Sequence, residues 1–212
     1  MSSQDRRYSE ATRFIAAAFR NREYQLATVG IIVGSTRPGR VGSRVAGWIA
    51  ERTRSLPDVE IDLIELADVA LPLLDEPEHP SKQRYTKQHT REWSARIAAL
   101  DAFILVTPEY NYSYPAPLKN ALDYLSAEWR NKPVALIGYG GTSSGTRAVQ
   151  ALLPVILSLG MICAGAMYVP LRQRLNKVDG TLEMTEQDER AAADLIEKLD
   201  WLARSLSPAV VA

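Results

Sequence analysis

The sequence predicts a doubly wound α/β domain: a five-stranded parallel sheet with helices on both faces. Short apolar, β-branched runs recur along the chain, stretches with apolar residues at helical spacing separate them, and most runs lack the polar alternation of a half-exposed strand. Ala27 to Val33 (ATVGIIV) is the first strand, ending at Gly34, and Val41, Val45, Trp48 and Ile49 then share one helical face. Val59, Ile61 and Leu63 alternate with Glu60, Asp62 and Ile64, the pattern of a less buried strand, which belongs at the sheet edge. A long loop carrying Pro72, Pro77 and Pro80 precedes a helical stretch through Trp93, Ile97 and Leu100, which leads into the buried run Ala102 to Val106 (AFILV). Leu118, Ala121, Leu122 and Leu125 form the next stripe, followed by the strand Val134 to Tyr139 (VALIGY). A stripe at Ala148, Leu152, Val155 and Leu159 leads to the run Met161 to Val169, and Leu195, Ile196, Leu199 and Leu202 mark a closing helix. Parallel neighbours need long crossovers, and right-handed ones cover both faces of the sheet.

At 212 residues and 46% apolar content the chain suits one compact unit, residues 27–212, behind an extension, residues 1–26, with a helical pattern through Ala11, Phe14, Ile15 and Ala18. Lys plus Arg number 25 and Asp plus Glu 25, so no net field recruits nucleic acid or an anionic membrane. A single cysteine, Cys163, in an apolar run reads as a small core hydrophobe, and with two histidines, His79 and His89, no metal site is expected. Charges interrupt every apolar stretch from Met1 to Gln25, and no run approaches membrane-spanning length, so a cytoplasmic protein is expected.

In such sheets ligands bind beyond the carboxyl ends of the strands, where strand order reverses. The loop after the first strand, Gly34 to Ser43, is rich in glycine, hydroxyls and guanidinium groups and leads into a helix amino terminus, which suits a phosphate. Ser35 and Thr36 can donate hydrogen bonds, Arg37 or Arg40 can supply charge, and Val41 and Gly42 open the helix. The spacing of Gly34 and Gly39 matches a Walker loop, but Arg40 and Val41 stand where its Lys and Ser/Thr belong. A dinucleotide fingerprint is also missing, with only Glu65 near the place of its acidic residue.

After the third strand, Thr107-Pro108-Glu109-Tyr110-Asn111-Tyr112-Ser113-Tyr114-Pro115 sets three tyrosines among prolines. Such a wall suits either a planar aromatic ligand or a subunit contact. The loop after the fourth strand, with Tyr139, Gly140 and Gly141, permits close backbone approach. Together these loops suit a mononucleotide with a large flat ring, for which FMN is the economical candidate. A receiver domain would need an Asp ending the third strand, where Thr107 and Pro108 stand. Gly141 to Gly145 has the spacing of a hydrolase elbow, but neither histidine is suitably placed.

These loops resemble the NADPH-dependent FMN reductase family, with its quinone, azo-dye and chromate reductase relatives. The resemblance rests on GSTRPGR (Gly34 to Arg40), PEYNYSYPAPLKNALDYL (Pro108 to Leu125) and YGGTSSGTRA (Tyr139 to Ala148), and runs roughly from Ala27 to Val169. It implies a flavodoxin-like fold and an FMN-dependent enzyme passing electrons from NADPH or NADH to flavin, quinone or another small acceptor. It also implies that Ser35, Arg37 and the loop amides through Gly42 hold the FMN phosphate, with Thr36, Arg40 and Val41 in the same loop. Pro108, Glu109, Tyr110 and Asn111 would line the isoalloxazine, and Tyr139, Gly140 and Gly141 would close its other edge. No catalytic acid or base is named. A homodimer or homotetramer is implied, with Tyr112, Tyr114 and Trp129 as candidates for the contact. The alternative is an electron carrier or FMN-binding sensor without significant NAD(P)H turnover, for which the neutral charge offers no steering field.

Overall fold

The computed structural model describes residues 27–206. The helix expected within residues 1–26 lies outside the described residues. Strands β1 (Ala27–Val33), β2 (Val59–Glu65), β3 (Ala102–Pro108), β4 (Pro133–Gly140) and β5 (Ile162–Pro170) form one sheet in the order β2-β1-β3-β4-β5, every pair parallel. The chain steps outward from β1 to β2, then crosses back to β3 and continues the other way. The order therefore reverses between β1 and β3.

Seven helices accompany the strands in the described residues: α1 (Gly42–Thr53), α2 (Leu66–Val69), α3 (Gln88–Ala98), α4 (Ala116–Asp123), α5 (Thr146–Ser158), α6 (Leu171–Arg174) and α7 (Glu186–Leu206). Successive strand residues point to opposite faces, which gives the sheet two cores. Ile31, Val33, Ile104 and Ile137 pack with Ile49 of α1 and Leu199 of α7. Ile32, Leu105 and Leu136 pack with Ile97 of α3, Leu122 of α4 and Leu152 of α5. Full burial of each such side chain is worth about 1.5–3 kcal/mol. β3 is buried along its whole length, as expected between two neighbours, whereas the edge strand β2 leaves Leu63 40% exposed while burying Ile64 completely.

Three short elements escape the sequence pattern: α2, α6 and a 3-10 turn at Pro80–Lys82. None exceeds four residues, too few to display helical periodicity. Trp129 requires a correction. Rather than facing a second subunit it is fully buried, lies edge-on to Phe103 with centroids 5.0 Å apart, and donates its indole N–H to the Leu122 carbonyl at 3.1 Å. A large ring with its one donor satisfied inside the core has nothing to offer a subunit contact. Among the described residues no helix is long and apolar enough to cross a membrane. No group of three or more His, Cys, Asp and Glu among them is placed to hold a metal ion.

Candidate functional site

The strand registers shape the carboxyl rim. Val33, the last residue of β1, pairs with Glu65, the last of β2, and with Val106 of β3. β3 then runs on to Pro108, which pairs with Tyr139 of β4, and β4 ends at Gly140. At 3.3 Å per residue, β3 and β4 stand roughly 7–10 Å higher than β1. The Gly34 to Ser43 loop therefore starts at the foot of a step whose riser is made by β3 and β4. All three loops singled out in the sequence leave from this end of the sheet.

In the first loop, Ser35 is fully buried and shares a 2.7 Å hydrogen bond with the Tyr110 hydroxyl. Arg40 is engaged elsewhere: its guanidinium donates to Glu65 at 3.0 Å and 2.9 Å, which also occupies the acidic residue closing β2. Arg37 is exposed, and its side chain has no hydrogen-bond or ionic partner among the described residues. Val41, half-buried against the core, precedes α1, whose N-terminus has no side-chain cap and no acidic residue in its first turn. Gly42 is required there, since a Cβ would lie 2.7 Å from the Tyr139 hydroxyl. Burial of Tyr139 pushes its phenol well above the usual range, so it stays neutral. The first turn of α1 thus presents unmatched amides and the positive end of its dipole, an arrangement that favours an anion.

The third loop folds back sharply. Tyr110 N–H donates to the Ser113 carbonyl at 2.8 Å and Ser113 N–H to the Tyr110 carbonyl at 3.0 Å. Between them Asn111 (φ 48°) and Tyr112 (φ 70°) are both left-handed, the geometry of a type I′ turn, in which glycine is favoured at the second position. A tyrosine held there costs on the order of 1–3 kcal/mol. Tyr112 is 68% exposed, and the Arg147 guanidinium lies 3.8 Å from its ring centroid. That contact returns part of the strain as a cation–π interaction.

Glu109 joins this loop to the next. It accepts from the Ser143 hydroxyl at 2.6 Å, from the Arg147 backbone N–H at 3.1 Å and from Arg147 Nε at 2.6 Å. Burial acts against its charge, yet the Ser143 and Arg147 donors prevail and hold its carboxyl below the usual range. The carboxylate caps α5 and fixes the shelf on which Gly140 is half-buried and Gly141 exposed. Gly145, at φ 85°, admits no side chain, because a Cβ would lie 2.4 Å from the Tyr139 backbone nitrogen. The elbow-spaced Ser143 thus serves Glu109, while His89 pairs with Asp75 at 2.8 Å and His79 bonds Ser81. No hydrolase constellation is assembled among the described residues.

Beside the first loop runs a cleft of about 330 Å³ lined by Thr36, Leu66, Ala70, Leu71 and Pro117 among others, and it shares Leu73, Ala116 and Asn120 with a second hollow of about 420 Å³ that reaches Ser113 and Tyr114. The proline-bearing loop forms its outer wall. Asn120 donates to the Pro72 carbonyl at 2.6 Å and accepts from Leu74 N–H at 2.9 Å. Glu76 accepts from the backbone N–H groups of Thr86 and Lys87 at 2.9 Å each.

The structure therefore brings Ser35, Gly42, Tyr110 and Tyr139 into one cluster, with Pro108 beside Tyr139 in the sheet. It leaves Asn111 exposed at the turn, turns Thr36 toward the cleft, and commits the Glu109 and Arg40 side chains to ion pairs. Sequence reasoning missed the Tyr112–Arg147 stack and the cleft wall. The left-handed turn had no glycine to announce it, and the wall depends on contacts between distant segments.

Strand order, the reversal between β1 and β3, and a helix mouth open at that point define a flavodoxin-like α/β protein. Residues 27–176 match the model of the NADPH-dependent FMN reductase family, and the chain belongs to that family. It is 43% identical over 129 residues to the NAD(P)H-dependent FMN reductase ntnL of Nectria sp, covering 58% of this chain and 64% of that protein. The chain thus spans less than two thirds of that relative's length. It is 36% identical over 154 residues to the NAD(P)H-dependent FMN reductase LOT6 of Saccharomyces cerevisiae, covering 68% of this chain and 80% of the other. The solved structure of FerB, a flavoenzyme NAD(P)H:(acceptor) oxidoreductase from Paracoccus denitrificans, superimposes with a TM-score of 0.62 at 23% identity, over 84% of this chain and 98% of FerB. At that identity the likeness concerns the fold.

Proposed function

We propose that this chain binds FMN at the carboxyl rim and works as an NAD(P)H-dependent reductase of a small acceptor such as a flavin or quinone. The observation that carries the reading is the mouth of α1: without a side-chain cap or an acid in its first turn, and preceded in the same loop by an exposed Arg37 that has no side-chain partner among the described residues. These residues fit a phosphate monoester, since amides, dipole and guanidinium all favour an anion there. Ser35, Thr36, Arg37 and the amides through Gly42 would hold that phosphate, with Val41 packing beneath the loop and Arg40 lending field while paired to Glu65. Pro108, Glu109, Tyr110 and Asn111 would line the ring by main chain and tyrosine surface, and Tyr139, Gly140 and Gly141 would close the opposite edge.

Bound FMN supplies the two-electron carrier between a nicotinamide and the acceptor. The protein's part is positional. Tyr110 holds Ser35, Glu109 locks the glycine shelf, and backbone donors near the ring would favour its anionic reduced form. No proton-transfer residue is required. A cytoplasmic location and a homodimer or homotetramer complete the reading, with the exposed Tyr112 and Leu73 as candidate subunit contacts. The test is a visible spectrum with added FMN, followed by anaerobic NADPH. Bound flavin that bleaches supports the reductase, flavin that binds and stays yellow supports an electron carrier, and absence of binding removes both.

A further inference from the structure

Most arginines at the carboxyl rim are paired. Arg40 meets Glu65, Arg147 meets Glu109 and Arg174 meets Asp188. Arg44 lies against Gly180 with Asp179 as its charged neighbour. Two exposed guanidinium groups at this end, Arg37 and Arg172, have no hydrogen-bond or ionic partner among the described residues. Arg172 leaves the end of β5 in α6, and its Nε lies 3.5 Å from where a Cβ on Gly141 would stand. It therefore borders the glycine shelf.

β1 and β5 are separated by three steps of the sheet, about 14 Å sideways, and β5 runs three residues past the level of Val33, so their ends lie roughly 17 Å apart. Arg37 and Arg172 therefore leave the rim from different strands, Arg37 in the loop that leads into α1 and Arg172 beside the glycine shelf. The mouth of α1 beside Arg37 accounts for the single phosphate of FMN. The phosphate-bearing reactant that the proposed chemistry needs whatever the acceptor is the nicotinamide dinucleotide, for which this chain has no glycine fingerprint.

We infer that Arg172 anchors a phosphate of the incoming nicotinamide dinucleotide, at a site separate from that of the flavin phosphate. The inference rests on the reductase reading above. An exposed guanidinium grips phosphate with forked, charge-assisted bonds and releases it readily, which suits a substrate that must leave so the acceptor can enter. Arg172 Nε lies so near Gly141 that a Cβ there would touch it, so an anion held by Arg172 would sit at the edge of the glycine shelf.

The test titrates FMN-loaded protein with NADP+ and NAD+ by calorimetry, alongside FMN affinity and NADPH steady-state kinetics. Arg172→Gln weakens NADP+ binding by about 10- to 100-fold, the range for a lost charge-assisted bond. FMN affinity stays unchanged, and KM for NADPH rises while kcat holds. Arg130→Gln, an exposed arginine at the opposite end of the sheet, changes none of these. Loss confined to NADP+ assigns the 2′-phosphate to Arg172, and equal loss with NAD+ assigns the pyrophosphate. If wild-type flavin bleaches with NADPH but NADP+ affinity ignores Arg172→Gln, or FMN weakens in parallel, this inference fails alone. If no nicotinamide bleaches the wild-type flavin, the reductase reading fails and takes the inference with it.

Discussion

The N-termini of α1 and α5 open on the same rim, each after a loop containing glycine, yet their electrostatic states are opposite. The α5 mouth is filled from within: Glu109 caps it and pairs with Arg147, and Gly145 packs against the β4 backbone. Among the described residues the α1 mouth has neither a side-chain cap nor an acid in its first turn, and nothing lies within 4 Å of a Cβ built on Gly39. A positive helix end supplied with its own carboxylate serves rigidity, whereas one left open invites an anion from outside. Two similar loops therefore divide the work: one stiffens the shelf and the other receives the ligand.

The sharpest way to break this comparison is to add a methyl group on each side. Gly145→Ala combines a left-handed backbone with a direct clash and should lower stability by about 2–5 kcal/mol in urea unfolding. Gly39→Ala, with φ 71° and open space, should cost only about 1–2 kcal/mol. Equal losses would remove the distinction between packed and open loops.

A smaller effect is expected from Glu109→Gln, which removes the charge that caps α5 and leaves Arg147 unpaired. It should cost about 1–3 kcal/mol at neutral pH. Since the folded-state carboxyl sits below its ordinary value of 4.5, the stabilisation is complete above that pH and fades as pH falls through the lowered value. The stability gap between wild type and variant should therefore close in acid; a gap that persists would show that the charge is not its source.

The smallest effect concerns the wall beside the open mouth. Burial opposes the Glu76 charge, but the N–H groups of Thr86 and Lys87 hold its carboxyl at about 2, from an ordinary 4.5. Its contribution is complete above pH 4.5 and is lost as pH drops toward 2. Proteolysis of the proline-bearing loop should rise over that window in wild type, and Glu76→Gln should be cut readily already at pH 7. Equal protection of the two proteins at pH 7 would contradict this fastening.

The fold was legible in the sequence because the runs that make β1, β3 and β4 are continuous and apolar, and because helical stripes fall between them. The edge place of β2 followed from its charged alternation. Of the candidate site, the first loop was legible through its glycines, hydroxyls and arginines, and the tyrosine wall through composition. What composition could not reveal is partner choice: that Arg40 would meet Glu65 while Arg37 stays open, or that Glu109 would turn to α5. Those outcomes depend on the strand registers and on Tyr139 reaching Gly42, contacts between segments distant in the chain. Trp129 misled for the same reason, since an aromatic ring suits a core as well as a surface.

The most direct measurement compares FMN with riboflavin, which lacks the phosphate, by fluorescence titration of wild-type protein and Arg37→Ala. An open α1 mouth that grips phosphate predicts much tighter binding of FMN than of riboflavin. It also predicts that Arg37→Ala weakens FMN by about 1.5–3 kcal/mol while leaving riboflavin unchanged. Equal affinity for the two flavins, or an FMN affinity indifferent to Arg37, would contradict it.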